Sequence, residues 1–244
     1  MKIEVRKLSK KFNNTFAVKN INFLIKENQT IGLLGPNGCG KTTSIGMMLG
    51  LIKPTQGHIL INDVEMNKID KSLLLKKINF ASPYIELPKK LTVKENLEIY
   101  ARLYGVKNFK ERISEISEDL NLNIFLNKKT GELSSGQKNR VSLAKSLINK
   151  PRLLFLDEPT ASLDPDVGDF VRNYIEKYKS KNKITILLAS HNMNEVERLC
   201  NSIIMMKNGE IVGQGTSGEL IKKHGRKNLE ETFLKIARSK NEVA

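Results

Sequence analysis

The chain has 244 residues, 41 Lys+Arg against 26 Asp+Glu and a net charge of +15, a length that suits one large α/β domain or a core with a small subdomain. Hydrophobic residues make up 39% and charged residues 27%, the balance of a chain with a real core and not of a disordered one. The apolar runs at 153–156 and 184–189 fall short of the roughly 18 residues that span a bilayer, and no long apolar stretch opens the N-terminus, so the chain is expected to be neither secreted nor membrane-spanning. Cys39 and Cys200 have neither the number of a disulfide framework nor zinc-site spacing, which points to a reducing cytoplasm. The basic excess suits nucleic acid or anionic lipid. Yet Lys outnumbers Arg by 32 to 9 and aromatics are 6% with no Trp, a compositional background that lacks the Arg and aromatic interleaving of a nucleic-acid groove. No nucleic-acid partner is expected.

Taken in chain order, two β-rich segments come first, at 2–8 and 16–25, where Val18, Ile21, Phe23 and Ile25 show partial period-2 patterning. Residues 30–34 form a compact apolar strand, followed at once by a Gly-rich turn and an apolar helical stretch at 42–51. A strand at 58–61 entering a turn at Asn62 and Asp63 joins the opening segments in a small antiparallel sheet. From 92 to 119 the spacing becomes helical, with Val93, Leu97, Tyr100 and Tyr104 on one face and Gly105 as a stop. The stretch 137–149 carries Val141, Ala144 and Ile148 at helical spacing and is closed by Pro151. Residues 153–156 and 184–189 lack a polar face, as strands of a covered parallel sheet do, and 167–178 is the crossover helix between them. A hairpin at 203–213 turns at Asn208-Gly209, and a final amphipathic helix presents Leu229, Phe233 and Ile236.

Gly35, Pro36, Asn37, Gly38, Cys39, Gly40, Lys41, Thr42 and Thr43 form a phosphate-binding loop pattern in its proper context, after a strand and opening a helix. Backbone N–H groups of residues 38–42 turn inward on phosphate oxygens, since glycines allow a path that Cβ atoms obstruct, and the helix N-terminus adds its partial charge. In this pattern Lys41 neutralises the β- and γ-phosphates, Thr42 gives its hydroxyl to Mg²⁺, and Thr43 reaches the α-phosphate. A second apolar strand ends in adjacent carboxylates, Asp157 and Glu158. Asp157 at the strand end can hold the Mg²⁺ water shell, and Glu158 falls near an attacking water. Between these motifs lie Ser134, Ser135, Gly136 and Gln137, which alone read only as a helix N-cap.

Together these residues resemble the ATP-binding cassette (ABC) ATPases across essentially the whole chain. The resemblance implies an α/β fold: a P-loop NTPase core of the RecA-like kind with a parallel sheet, an N-terminal antiparallel β-subdomain and an inserted helical subdomain. It implies one domain over 1–244, with the core at about 1–83 and 145–244 and the helical part at about 84–144. It further implies that Ser134 and Gly136, within the signature 134–137, contact the γ-phosphate of ATP held by a second ATPase subunit, an identical copy or a close paralogue. Asp164, in the stretch Ser162-Leu163-Asp164, lies on the loop linking the two sites, and His191 is the switch histidine on the γ-phosphate. Standing alone, His191 reads as an ordinary strand-end histidine, as His58 and His224 do. Phe12 matches the adenine-stacking aromatic with Phe16 as the fallback, and either could also be core.

One position departs from the family pattern: the glutamine expected after the strand at 78–82 aligns with Pro83, which offers no side-chain oxygen. Ser82 or an added water is expected to take its place. The implied function is ATP hydrolysis, with ATP and Mg²⁺ as cofactors and Glu158, His191 and Lys41 as the catalytic groups. The implied setting is a transporter whose separate transmembrane permease subunits hold the cassette on the inner face of the cell membrane. The segments 91–105 and 228–238 resemble exporters of drugs, lipids or polysaccharides. The alternative is a regulatory ABC ATPase that acts on a membrane complex without transport.

Overall fold

In the computed structural model, which describes residues 1–83 and 85–238, the chain runs β1 (Ile3–Phe12), β2 (Thr15–Ile25), β3 (Thr30–Leu34), α1 (Lys41–Met48), β4 (Gln56–Ile61), β5 (Val64–Glu65), α2 (Lys71–Leu75), β6 (Ile78–Ala81), α3 (Val93–Leu103), α4 (Phe109–Asp119), α5 (Ser135–Leu147), β7 (Leu153–Asp157), α6 (Pro165–Lys181), β8 (Thr185–Ser190), α7 (Met193–Leu199), β9 (Ser202–Lys207), β10 (Glu210–Gly215), α8 (Ser217–His224) and α9 (Leu229–Arg238). Two compact units result: Met1–Ile69 with Thr185 onward, and Asp70–Ile184. No described helix is long and apolar enough to cross a membrane.

In the first unit, β2, β1, β4 and β5 form the expected antiparallel sheet. Ile3 pairs with Ile25 and Val5 with Phe23, and all four side chains are buried. The register slips between Val5 and Leu8, where Lys7 takes φ +48°. That bulge keeps Leu8 on the buried face against Ile21. The other sheet of this unit places β3 between β8 and β9, parallel to both, with β10 antiparallel on β9. Every residue of β3 and β8 is buried, which explains why neither shows alternation. Asn208 (φ +49°) and Gly209 (φ +81°) make the turn into β10, the left-handed pair that a two-residue hairpin needs. Leu229 and Ile236 of α9 pack with Leu34, Val196, Ile203, Met205 and Leu220.

The second unit pairs β6 and β7 in parallel, from Ile78↔Leu153 to Ala81↔Leu156, and its remaining segments are mostly helical. The helical spacing at 92–119 resolves into two helices separated at Gly105, whose φ is +69°. Thr92 and Glu95 start α3 with a capping box. The crossover helix α6 begins with Pro165 in its first turn and runs past its expected end to Lys181. Three helices, α2, α7 and α8, were not apparent from spacing. Each is only five to eight residues long, too short for a clear period.

Buried cations tie this unit together through carbonyl oxygens. Arg112 donates to the Leu147 and Ile148 carbonyls, at 2.6 and 3.3 Å, and pairs with Glu115 at 2.8 Å. Lys145, 9% exposed, donates to the Phe80 carbonyl at 3.1 Å and lies 5.3 Å from the centre of the Tyr100 ring. Burial pulls its ammonium from 10.5 down to about 8. The folded state therefore disfavours a proton that the unfolded chain keeps, so this penalty is full below about pH 8 and fades as pH rises toward 10.5. Denaturant titrations of the wild type and Lys145→Met from pH 7 to 10 should show the wild type gaining up to about 3 kcal/mol relative to the variant. Parallel pH curves would contradict this.

Candidate nucleotide-binding and hydrolysis site

Strand β3 delivers the chain to Gly35, where a Cβ would lie 2.6 Å from the Met206 carbonyl oxygen and would also collide with the Cys39 sulfur. Gly38 (φ +80°) and Gly40 (φ +105°) then turn the backbone through conformations that side chains resist, and a Cβ on Gly40 would run into the Ala17 carbonyl. Gly40 is the N-cap of α1 and offers no side-chain cap. The first amides of the helix thus point to whatever anion the loop holds. Lys41 is 7% exposed, with its ammonium held inside the loop by the Gly35 carbonyl at 2.7 Å and the Pro36 carbonyl at 3.3 Å. Thr42 is exposed and Thr43 half-buried at the start of α1. Cys39 is buried, and burial pushes its thiol up from 9.0, so it is a poor nucleophile. The glycine path and the charge inside it fit a polyphosphate.

The register Leu34↔Ser190 between β3 and β8, carried one residue on, sets His191 beside Gly35 at the strand ends. His191 is exposed, and α7 begins just after it. Asn192 caps that helix by accepting from the Glu195 N–H at 3.2 Å, while its own N–H donates to the Ser190 hydroxyl at 3.0 Å. Phe12 and Phe16 lie at the exposed end of the β1–β2 hairpin, 48% and 41% accessible. Neither is core. Lys10 and Lys11 sit over their rings at 4.9 and 5.6 Å, so each exposed ring already carries a cation on one face.

In the second unit, β7 ends in Asp157, 2% exposed, followed by Glu158, 6% exposed with φ +54°. A left-handed conformation at a non-glycine residue stores strain, and Ser162 (φ +58°) repeats it four residues later. Asn139 on α5 donates to the Pro159 carbonyl at 2.7 Å and pins this loop. Spacing had given no hint of that residue. Ser134 caps α5: its hydroxyl accepts from the Gln137 N–H at 3.3 Å, and its own N–H donates to the Gln137 side chain at 3.0 Å. Ser134 and Ser135 are exposed, and a Cβ on Gly136 would come 3.2 Å from Val167. Asp164, also exposed, is the N-cap position of α6. Pro83 follows the end of β6 and is exposed. No cluster of three or more His, Cys, Asp or Glu forms a metal cage among the described residues. Taken singly, the Thr42 hydroxyl and the Asp157 carboxylate are oxygen donors of the kind Mg²⁺ takes alongside phosphate oxygens and waters.

The profile of the ABC transporter family matches residues 18–161. The ABC transporter ATP-binding protein NatA of Bacillus subtilis (strain 168) is 32% identical, over 89% of this chain and 89% of its own length. The Nod factor export ATP-binding protein I of Rhizobium sp. (strain N33) is 34% identical, over 91% and 73%. The linearmycin resistance ATP-binding protein LnrL of B. subtilis (strain 168) is 33% identical, over 97% and 79%. Among solved structures, an ATP-binding subunit of an ABC transporter superposes with TM-score 0.88 at 25% identity, over 97% of this chain and 99% of that one. The dimeric post-hydrolysis state of the cassette MJ0796 bound to ADP and Pi gives 0.79 at 29% identity, over 88% and 98%. The chain belongs to the ABC transporter family. It is an ATP-binding cassette with the P-loop NTPase fold, and it is an ATPase.

Gly40→Ala should weaken ATP binding by about 5- to 150-fold by calorimetry, because strain of about 1–3 kcal/mol opposes the turn that aims the amides. Ser134→Ala should cost only the cap, about 1 kcal/mol by chemical denaturation, yet abolish turnover. Turnover at the wild-type rate in the Ser134 variant would remove that residue from the site.

Proposed function

We propose that this chain is the ATP-hydrolysing subunit of an exporter, held on separate transmembrane permease subunits at the inner face of the cell membrane. Two cassettes, identical or paralogous, close over two molecules of Mg-ATP. The observation that carries the reading is the turn at Gly38 and Gly40 with the Lys41 ammonium held inside it. The relatives named for Nod factor export and for linearmycin resistance support export, with drugs, lipids or polysaccharides as the cargo classes.

In this cycle the loop amides and Lys41 bind the β- and γ-phosphates, and Phe12, with Phe16 as the fallback, stacks on adenine. Thr42 and Asp157 would hold Mg²⁺, which would neutralise charge on the phosphate oxygens. Glu158 accepts the proton of the attacking water as its oxygen bonds to the γ-phosphorus and the bond to the β-phosphate oxygen breaks, releasing ADP. His191 hydrogen-bonds the γ-phosphate and steadies it in line. Ser134, Ser135, Gly136 and Gln137 of the second cassette complete the site, with Asp164 on the loop between the two sites. Closure drives the permease one way, and hydrolysis lets the cassettes open. Strain at Glu158 and Ser162 suits loops that must change partners as the cassettes separate.

If Glu158 is the base, Glu158→Gln should slow ATPase turnover by about 10²–10⁴ while ATP binding persists. Unchanged turnover would refute the assignment.

A further inference from the structure

Pro83 has no side-chain oxygen, and what stands next to it is informative. Ser82 directly follows β6, and the pairs Phe80↔Phe155 and Ala81↔Leu156 make Ser82 and Asp157 the next residues of two neighbouring strands. Ser82 and Asp157 are 4% and 2% exposed, so both are sheltered at the carboxyl ends of neighbouring parallel strands, where ligands of such sheets collect.

The segment that carries Ser82 is held from several directions. The Phe80 carbonyl takes the Lys145 ammonium at 3.1 Å. The Asn79 amide donates to Asn149 at 2.9 Å and to the Lys145 carbonyl at 3.3 Å, and its oxygen accepts from the Tyr104 hydroxyl at 3.2 Å. Beyond Ser82, its carbonyl accepts the Ile85 N–H at 3.2 Å, and Pro83 fixes its own φ. A hydroxyl both donates and accepts, so one placed this firmly can orient a metal-bound water at the strand ends where Asp157 also lies.

We propose that Ser82 is a metal-water positioning residue: with Asp157 it orders the hydration shell of the Mg²⁺ that accompanies ATP, in the place where Pro83 can contribute nothing. The inference rests on the ATPase reading above.

The test uses the full chain with ATP, titrated with Mg²⁺ by calorimetry and with Mn²⁺ by electron paramagnetic resonance. Ser82→Ala should bind ATP in EDTA as the wild type does, yet need about tenfold more Mg²⁺ for half-maximal gain in ATP affinity, the usual cost of removing an outer-shell partner. The Mn²⁺ spectrum should change with it, and Ser82→Thr should restore both. Equal metal dependence in Ser82→Ala and wild type overturns the proposal and leaves water as the replacement. Loss of ATP binding in EDTA by Ser82→Ala also overturns it, in favour of a packing role. A wild-type chain whose ATP binding gains nothing from Mg²⁺ would sink the Mg-ATP reading itself, a result distinct from the other two.

Discussion

A polyphosphate is held by backbone amides that converge on it, and L-residues in ordinary conformations do not let successive amides converge. Everything around the loop after β3 follows from that requirement. Gly38 and Gly40 must take positive φ, and Gly35 must be bare because Met206 and Cys39 crowd it. Those neighbours belong to β9 and to the loop itself, so the loop's path depends on β9 sitting beside β3. The pairing Leu34↔Met205 brings Met206 to the loop. A phosphate site that looks local in sequence is thus formed by strands that meet from opposite ends of the chain.

The second unit solves the converse problem of keeping two carboxylates out of water. Asp157 ends a strand whose residues are all buried, and Glu158 follows it, also buried, a place where charge is costly unless it is met by polar groups. Strand ends supply the answer. Backbone there has left the ladder and turns into loops, with the Ser82 carbonyl accepting the Ile85 N–H and the Glu158 carbonyl the Ala161 N–H. Unusual backbone at Glu158 and Ser162 belongs to the same economy. The loop from 158 to 164 is shaped by the Asn139 anchor rather than by propensity, since neither Glu nor Ser favours left-handed φ.

Much of this was legible because the relevant signals are local. The phosphate loop, the apolar strand ending at Asp157 and the Asn208-Gly209 hairpin each depend on residues adjacent in sequence. What stayed hidden depends on distance or on exceptions. Lys7 at φ +48° carries no mark in the sequence, yet it sets the register of β1. The capping box of Thr216 and Glu219 was there to be read, but glycines at 213, 215 and 218 blur the helix it starts. Arg112 reaches the end of α5 from 35 and 36 positions away, and Asn139 reaches Pro159 from 20. No periodicity reports such contacts. Whether Phe12 and Phe16 were core or surface was also open, since aromatic type fits both until burial is known.

The +15 charge acquires a partly internal use. Helix C-termini carry unpaired carbonyls and a partial negative charge, and here cations from elsewhere in the chain meet them. Arg112 serves the end of α5, and Arg140 serves α4 through the Leu120 and Asn121 carbonyls at 3.5 and 3.4 Å. Lys235 serves α8 through His224 at 3.1 Å, and Lys207 serves α9 through Ile236 at 3.0 Å. Lys41 and Lys145 add two more cation-to-carbonyl bonds at strand ends. Carbonyls accept from such cations without requiring an equal number of acidic side chains, so part of the positive balance in the count is used inside the fold. A chain built this way reads as basic before any external partner is considered, and its charge is no argument for nucleic acid. Buried members of the set, such as Arg112, are also shielded from salt, whereas a nucleic-acid surface would lose its attraction steeply as ionic strength rises.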